Sequence, residues 1–219
     1  QLGETRTRAD GRYDIAANGG GPVTLEFSKT GYLPVQRTVA AAWQQWVTLD
    51  SVVLVPLDTN VTTVDFSDSV EVVRGSTVTD SSGTRRATLM FKQGTTAQMV
   101  LANGSLQPVS SLNVRATEYT AGSLGPSAMP GTLPAASAYT YAAELSSDEA
   151  IAAGAREVVF SAPVSFYLDN FLSLPVGSEV PVVFYGCVVH RDLHSPGRRV
   201  PTRGCAALAH RGTLAAASG

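Results

Sequence analysis

The sequence predicts an all-β fold of tandem β-sandwich modules with one short helix and an irregular C-terminal tail. Three observations predict it. Apolar residues alternate with polar ones at period two in one segment after another, as half-buried strands require. Clusters of Gly, Pro, Asn, Asp and Ser separate those segments with turn chemistry. Only one stretch carries helix start and stop signals. The length of 219 residues suits one large or two small domains, and 44% hydrophobic content is ample for packed cores.

Strands are legible from the start of the chain. Asp10-Gly11 is a tight-turn signal, followed by the alternating Arg12-Tyr13-Asp14-Ile15 and the breaker Gly19-Gly20-Gly21-Pro22. Val23, Leu25 and Phe27 then share one face of a strand. Lys29-Thr30-Gly31-Tyr32 turns the chain into a strand over 35–39, and 46–49 and 52–55 supply two more, ended by Pro56. Leu25, Phe27, Val53 and Val55 are expected to be buried in this unit.

The series Thr7-Arg8-Ala9-Asp10-Gly11-Arg12-Tyr13-Asp14-Ile15, the Gly-rich turn, Val23-Thr24-Leu25-Glu26-Phe27 and Lys29-Thr30-Gly31-Tyr32 resembles carboxypeptidase regulatory-like domains. These are small prealbumin-like β-sandwiches found in bacterial surface proteins. The resemblance implies a module over 1–57 whose leading strand would precede Gln1, so that its first sheet is one strand short.

Residues 58–186 read as a second β-rich domain. Strands are expected at 61–66, 69–73, 87–91, 98–101 and 112–117, with turns at Asp80-Ser81-Ser82-Gly83 and Asn103-Gly104-Ser105. Gly and Pro recur through 121–137, so no regular element is expected there. After a strand over 139–145 comes the one helix, with Ser146 or Ser147 as N-cap, Asp148 and Glu149 in its first turn, and Gly154 as its stop. Strands at 158–160, 164–168 and 180–185 complete the series. The blocks Arg115-Ala116-Thr117-Glu118-Tyr119-Thr120, Met129-Pro130-Gly131-Thr132-Leu133-Pro134, Ser137-Ala138-Tyr139-Thr140-Tyr141 and Pro163-Val164-Ser165-Phe166-Tyr167-Leu168-Asp169-Asn170-Phe171-Leu172 resemble, in order, the region upstream of the repeats in bacterial RHS/YD-repeat proteins. Those are giant extracellular shells distantly similar to teneurins. The resemblance implies a non-catalytic structural module, secreted or at the bacterial cell surface, whose partner is the remainder of its parent protein; the block 115–120 would then serve the core fold.

Composition breaks at Gly186. Five Arg, all three His and both Cys lie within 186–219 against one acid, Asp192, giving that tail a net +4 and the rest −6. Residues 187–219 are therefore expected to be irregular and out-of-frame or foreign in origin, and 190–219 to be dispensable for folding of 58–185. Apolar residues other than Ala are sparse there and show neither period.

Several functions are argued against by the residues. A formal net charge of −2 offers no basic excess for a nucleic-acid partner. No apolar run reaches the length of a membrane-spanning helix. Cys187, His190, His194, Cys205 and His210 are the residue types zinc prefers, and Cys187-x2-His190 is a plausible half-site. The span between it and Cys205-x4-His210 holds Pro196, Gly197, Pro201 and Gly204 and no apolar cluster to organise, which favours an irregular tail without metal. His190-Arg191-Asp192-Leu193 opens like a kinase catalytic loop, but Gly197 stands where a metal-holding Asn belongs. The acid pairs Asp65/Asp68 and Asp148/Glu149 are explained by a loop face and a helix N-terminus, and the spacing of Asp58, Asp65, Asp68 and Asp80 does not follow a calcium loop. No catalytic set and no cofactor is expected. A second reading is a carbohydrate-binding accessory module, in which Trp43, Trp46 and Tyr32 stack on the sugar faces of a polysaccharide.

Overall fold

The computed structural model describes residues 3–66, 69–131, 139–178, 180, 182–186, 200–201 and 204–209. The first turn forms around Asp10-Gly11, where Arg8 N donates to Arg12 O and Gly11 N to Arg8 O. Strands β1 (Gly21–Phe27) and β2 (Val35–Ala41) follow as an antiparallel pair, with Val23 opposite Val39, Leu25 opposite Arg37 and Phe27 opposite Val35. Then come β3 (Thr62–Val64), β4 (Glu71–Arg74), β5 (Val78–Asp80), β6 (Gly83–Arg85), β7 (Ala87–Phe91), β8 (Ala97–Val100), β9 (Leu106–Val109) and β10 (Leu112–Glu118). The one-turn helix α1 (Gly125–Ala128) precedes β11 (Tyr139–Ser147), α2 (Asp148–Ala152), β12 (Glu157–Phe160), β13 (Ser165–Leu168), β14 (Val182–Gly186), β15 (Val200–Pro201) and β16 (Gly204–Ala209). The class is all-β.

Beyond the β1-β2 pair, the strands assemble as a five-stranded sheet in the order β14-β16-β11-β10-β3, a four-stranded sheet β15-β12-β8-β9, a three-stranded sheet β13-β7-β4 and the β5-β6 hairpin. The main core lies where the three larger sheets meet: Val64, Val73, Leu89, Phe91, Met99, Leu112, Val114 and Val158 are buried together, with Phe66, Phe91 and Phe160 in mutual ring contact. Period two is visible along β7, where Ala87, Leu89 and Phe91 are buried and Thr88 and Met90 less so. β11 departs from it. Tyr141, Ala142, Ala143 and Glu144 are all buried, because Tyr141 and Ala143 face the three-stranded sheet while Ala142 faces the N-terminal unit. Small side chains at 142 and 143 let both faces be covered. A similar close approach holds Gly75 over β10, where an added Cβ would lie 2.6 Å from the Ala116 carbonyl oxygen.

Helix α2 forms as its signals require: the Ser147 hydroxyl accepts from Ala150 N, and Asp148 and Glu149 occupy the first turn. Four expectations are corrected. The segments 12–15, 46–49 and 52–55 are not strands. The last of these makes scattered bonds instead, with Leu33 N donating to Val55 O, Leu57 N to Gly31 O and Val53 N to Ser127 O. Leu25, Phe27, Val53 and Val55 are half-buried. Without those strands, no second sheet closes over β1 and β2 among the described residues, and the Phe27 ring is met edge-on by Tyr13 at 5.3 Å. Among its described residues, the Gly- and Pro-rich stretch holds one regular turn, α1, with Pro at its start. Part of the tail expected to be irregular is regular: β16 lies between β14 and β11, pairing Cys205 with both Glu144 and Tyr185. Main-chain pairing needs no hydrophobic period of its own, which is why local composition did not reveal it.

Partial burial sets the size of one expected effect. Phe27→Ala should cost about 1–2 kcal/mol in urea unfolding, below the roughly 3–5 kcal/mol typical of a fully buried ring. A cost at the upper figure would mean that the β1 face is closed by a further layer.

Candidate functional site: the junction and the tryptophan turn

The N-terminal unit is held to the rest by apolar packing and a guanidinium clamp. Leu33, just before β2, and Val35, its first residue, are buried, and Leu33 packs with Tyr119, Met129 and Ala142, flanked by Val55 and Leu57. From β2, Arg37 donates through Nη1 to the Met129 carbonyl at 2.8 Å and through Nη2 to that of Ser127 at 2.9 Å, while Gln36 N donates to Pro130 O. These carbonyls lie at the end of α1, where a helix leaves its last acceptors unpaired. The boundary residue Asp58 is pinned as well. Its N–H donates to Thr117 Oγ1 at 2.9 Å, its carboxylate accepts from Ser76 N, Ser76 Oγ and Asn60 N, and its carbonyl accepts from Arg115.

The block 115–120 contributes to this framework residue by residue. Arg115 makes a two-pronged pair with Asp148, both bonds 2.8 Å, tying β10 to α2; Glu149 beside it accepts from Asn113 N and Nδ2. Glu118 accepts from Arg85 Nε and Nη2 at 2.8 and 2.6 Å and from the Thr120 hydroxyl at 2.7 Å. Arg85 is 1% exposed, lies over the Phe171 ring, and reaches both oxygens of Asp80. One guanidinium thereby joins the β5-β6 hairpin, β10 and the loop after β13.

Charge pairing displaces the titrations. The Arg85 guanidinium and the Ser82 N–H hold the Asp80 carboxyl well below the usual carboxylate range, and Arg115 lowers that of Asp148. Burial, chiefly, pushes the Tyr141 phenol up. A carboxyl whose folded pKa is depressed contributes stability in full above its unfolded pKa, about 4, and loses it as pH falls through the folded value. Thermal midpoints should therefore drop between about pH 4 and pH 2, and less steeply in Asp148→Asn than in wild type. Equal slopes would mean that the Arg115 pair contributes nothing.

The other candidates are spread apart. Asp65 lies beside β4, its N–H donating to Glu71 Oε2, and Asp68 falls outside the described residues, as do Cys187, His190, His194 and His210. Cys205 sits in β16. Among the described residues, no group of three or more His, Cys, Asp or Glu is placed to hold a metal ion, and no helix is long and apolar enough to cross a membrane. Of the three aromatic candidates, Trp43 and Trp46 are 64% and 94% exposed on the turn that follows β2. Tyr32 is half-buried beneath the Lys29 ammonium, 4.1 Å above its ring. Sequence reasoning missed Arg37, Arg85 and Asp58 as organising residues, because their partners Ser127, Glu118 and Thr117 lie far along the chain.

Residues 1–54 match the family model of the Teneurin TTR-like domain. Among curated proteins, the chain is 44% identical over 52 residues to Teneurin-m of Drosophila melanogaster, covering 24% of this chain and 2% of that protein. It is 37% identical over 65 residues to Teneurin-3 of Danio rerio, covering 30% and 2%, and 31% identical over 70 residues to Teneurin-1 of Gallus gallus, covering 32% and 3%. The chain thus spans a few per cent of the length of the relatives it matches. No solved structure matches it significantly. By sequence, the first quarter of the chain is similar to the TTR-like domain of teneurins.

Proposed function

We propose that this chain is a non-catalytic structural module of a large secreted or cell-surface protein of the bacterial RHS/YD-repeat type. The similarity of residues 1–54 to the Teneurin TTR-like domain carries the reading, because the clamp of Arg37 on 127–130 turns that domain and the β-rich remainder into one braced unit. The ordered blocks from 115 to 172 support the narrower bacterial assignment. Its partner is then the rest of the parent protein, and its work is to hold that protein's parts at a fixed angle. The ion pairs described above all serve packing, which supports a scaffold role. Sequencing the reading frame on both sides of this segment tests the proposal. An adjacent reading frame rich in repeated Tyr-Asp dipeptides is expected; flanking sequence without them in any frame would overturn it.

A further inference from the structure

The only two tryptophans of the chain, Trp43 and Trp46, lie in one short segment, and both are exposed. Tryptophan carries the largest apolar surface of any side chain and is on average highly buried, so two open indoles three residues apart call for an occupant. The backbone is committed to presenting them. Gln44, between them, holds a left-handed φ of 58°, a conformation a non-glycine residue adopts only at a cost. The strand end feeding the turn is backed by the glycine run: Gly20 N donates to Ala41 O at 2.7 Å, and a Cβ on Gly19 would lie 2.7 Å from the Ala42 carbonyl oxygen. Val47 continues the exposed apolar surface.

The chemistry of the occupant follows from what surrounds the rings. No charged residue occurs in the sequence between Arg37 and Asp50, so the segment itself offers no ionic contact. Between the two tryptophans in sequence stands a pair of exposed amides, Gln44 and Gln45, each offering donors and an acceptor. Flat apolar rings flanking neutral amides match a neutral sugar, whose ring presents an apolar C–H face and a rim of hydroxyls. Two indoles suit successive units of a chain better than one free sugar. A lipid surface fits less well, because the segment lacks the basic residues that draw a protein to anionic headgroups. We propose that the turn at 43–46 is a binding site for a neutral polysaccharide, formed by Trp43, Gln44, Gln45 and Trp46 without Tyr32. This site is independent of the scaffold reading.

The chain's tryptophan fluorescence reports on this turn alone, which makes the test direct. The whole chain is titrated with a soluble neutral β-glucan, a neutral mannan and cellohexaose, with a polyuronate as the anionic control and phosphatidylcholine and phosphatidylserine vesicles as the lipid control. A blue shift and protection from acrylamide with at least one neutral glycan is expected. In affinity electrophoresis, Trp46→Ala should weaken retention by roughly tenfold or more with an unchanged far-UV spectrum and thermal midpoint, since the ring packs on little. Failure of every neutral glycan, equal retention of Trp46→Ala, a shift with vesicles only, or a shift with protein concentration alone would each overturn the proposal.

Discussion

Arg85→Met is expected to lower the unfolding free energy by about 3–5 kcal/mol, a range typical of breaking a buried ion pair by removing one partner. The loss comes less from the guanidinium's own packing than from what it leaves behind. Glu118 is almost fully enclosed and Asp80 largely so, with side chains 7% and 20% exposed, and both would lose their cation while the Phe171 ring would lose the charge above it. Lysine should not rescue the variant, because one ammonium cannot reproduce the four close contacts that the guanidinium makes with two carboxylates. A triple variant that also carries Asp80→Asn and Glu118→Gln should recover part of the loss, since it leaves no unpaired buried charge. Urea unfolding followed by circular dichroism measures all three. A cost under about 1 kcal/mol for Arg85→Met would mean that the cluster behaves as a solvated surface pair.

Tyr119→Ala should be comparably severe, at about 3–5 kcal/mol, and should change the shape of the transition as well as its midpoint. The ring is 1% exposed at the centre of the cluster through which Leu33 and Met129 join the two parts of the chain. Removing it leaves a cavity at the seam. In calorimetry the wild-type protein is expected to melt in one transition, and Tyr119→Ala combined with Arg37→Ala in two, the N-terminal unit first because β1 and β2 have little cover of their own. A single transition in the double variant would show that the contacts left, among them Gln36 with Pro130, Leu33 with Met129 and Asp58 with its partners, suffice to couple the units.

Much of the second region could be read directly from its residues. β7 coincides with the expected 87–91, β10 extends the expected 112–117 by one residue, and α2 begins at the capping serine. β7 announces itself because its alternate residues are the buried ones, so period two is written into its side chains, whereas α2 is announced by its capping serine and first-turn acids. The hairpin β5-β6 showed only its turn, since three-residue strands are too short to display a period. The N-terminal unit misled in the opposite direction. Trp46 to Leu49 and Val52 to Val55 have strand-like composition, yet the first presents an exposed tryptophan and the second pairs irregularly. For the candidate site, the aromatic types at 32, 43 and 46 were visible, but the lysine covering Tyr32 was not.

The sequence by itself determined the all-β class, the position of the helix, most strands of the second region and the turns that separate them, because these depend on residues within a few positions of one another. The tertiary structure alone decided which strands neighbour which, that β11 is covered on both faces, that Gly204–Ala209 enters the five-stranded sheet, and that Arg37, Asp58 and Arg85 are the polar ties. Such contacts join residues far apart in the chain, as Arg37 is from Ser127. Their energy arises only once packing has excluded water from around them, and no local pattern encodes a partner so distant in sequence.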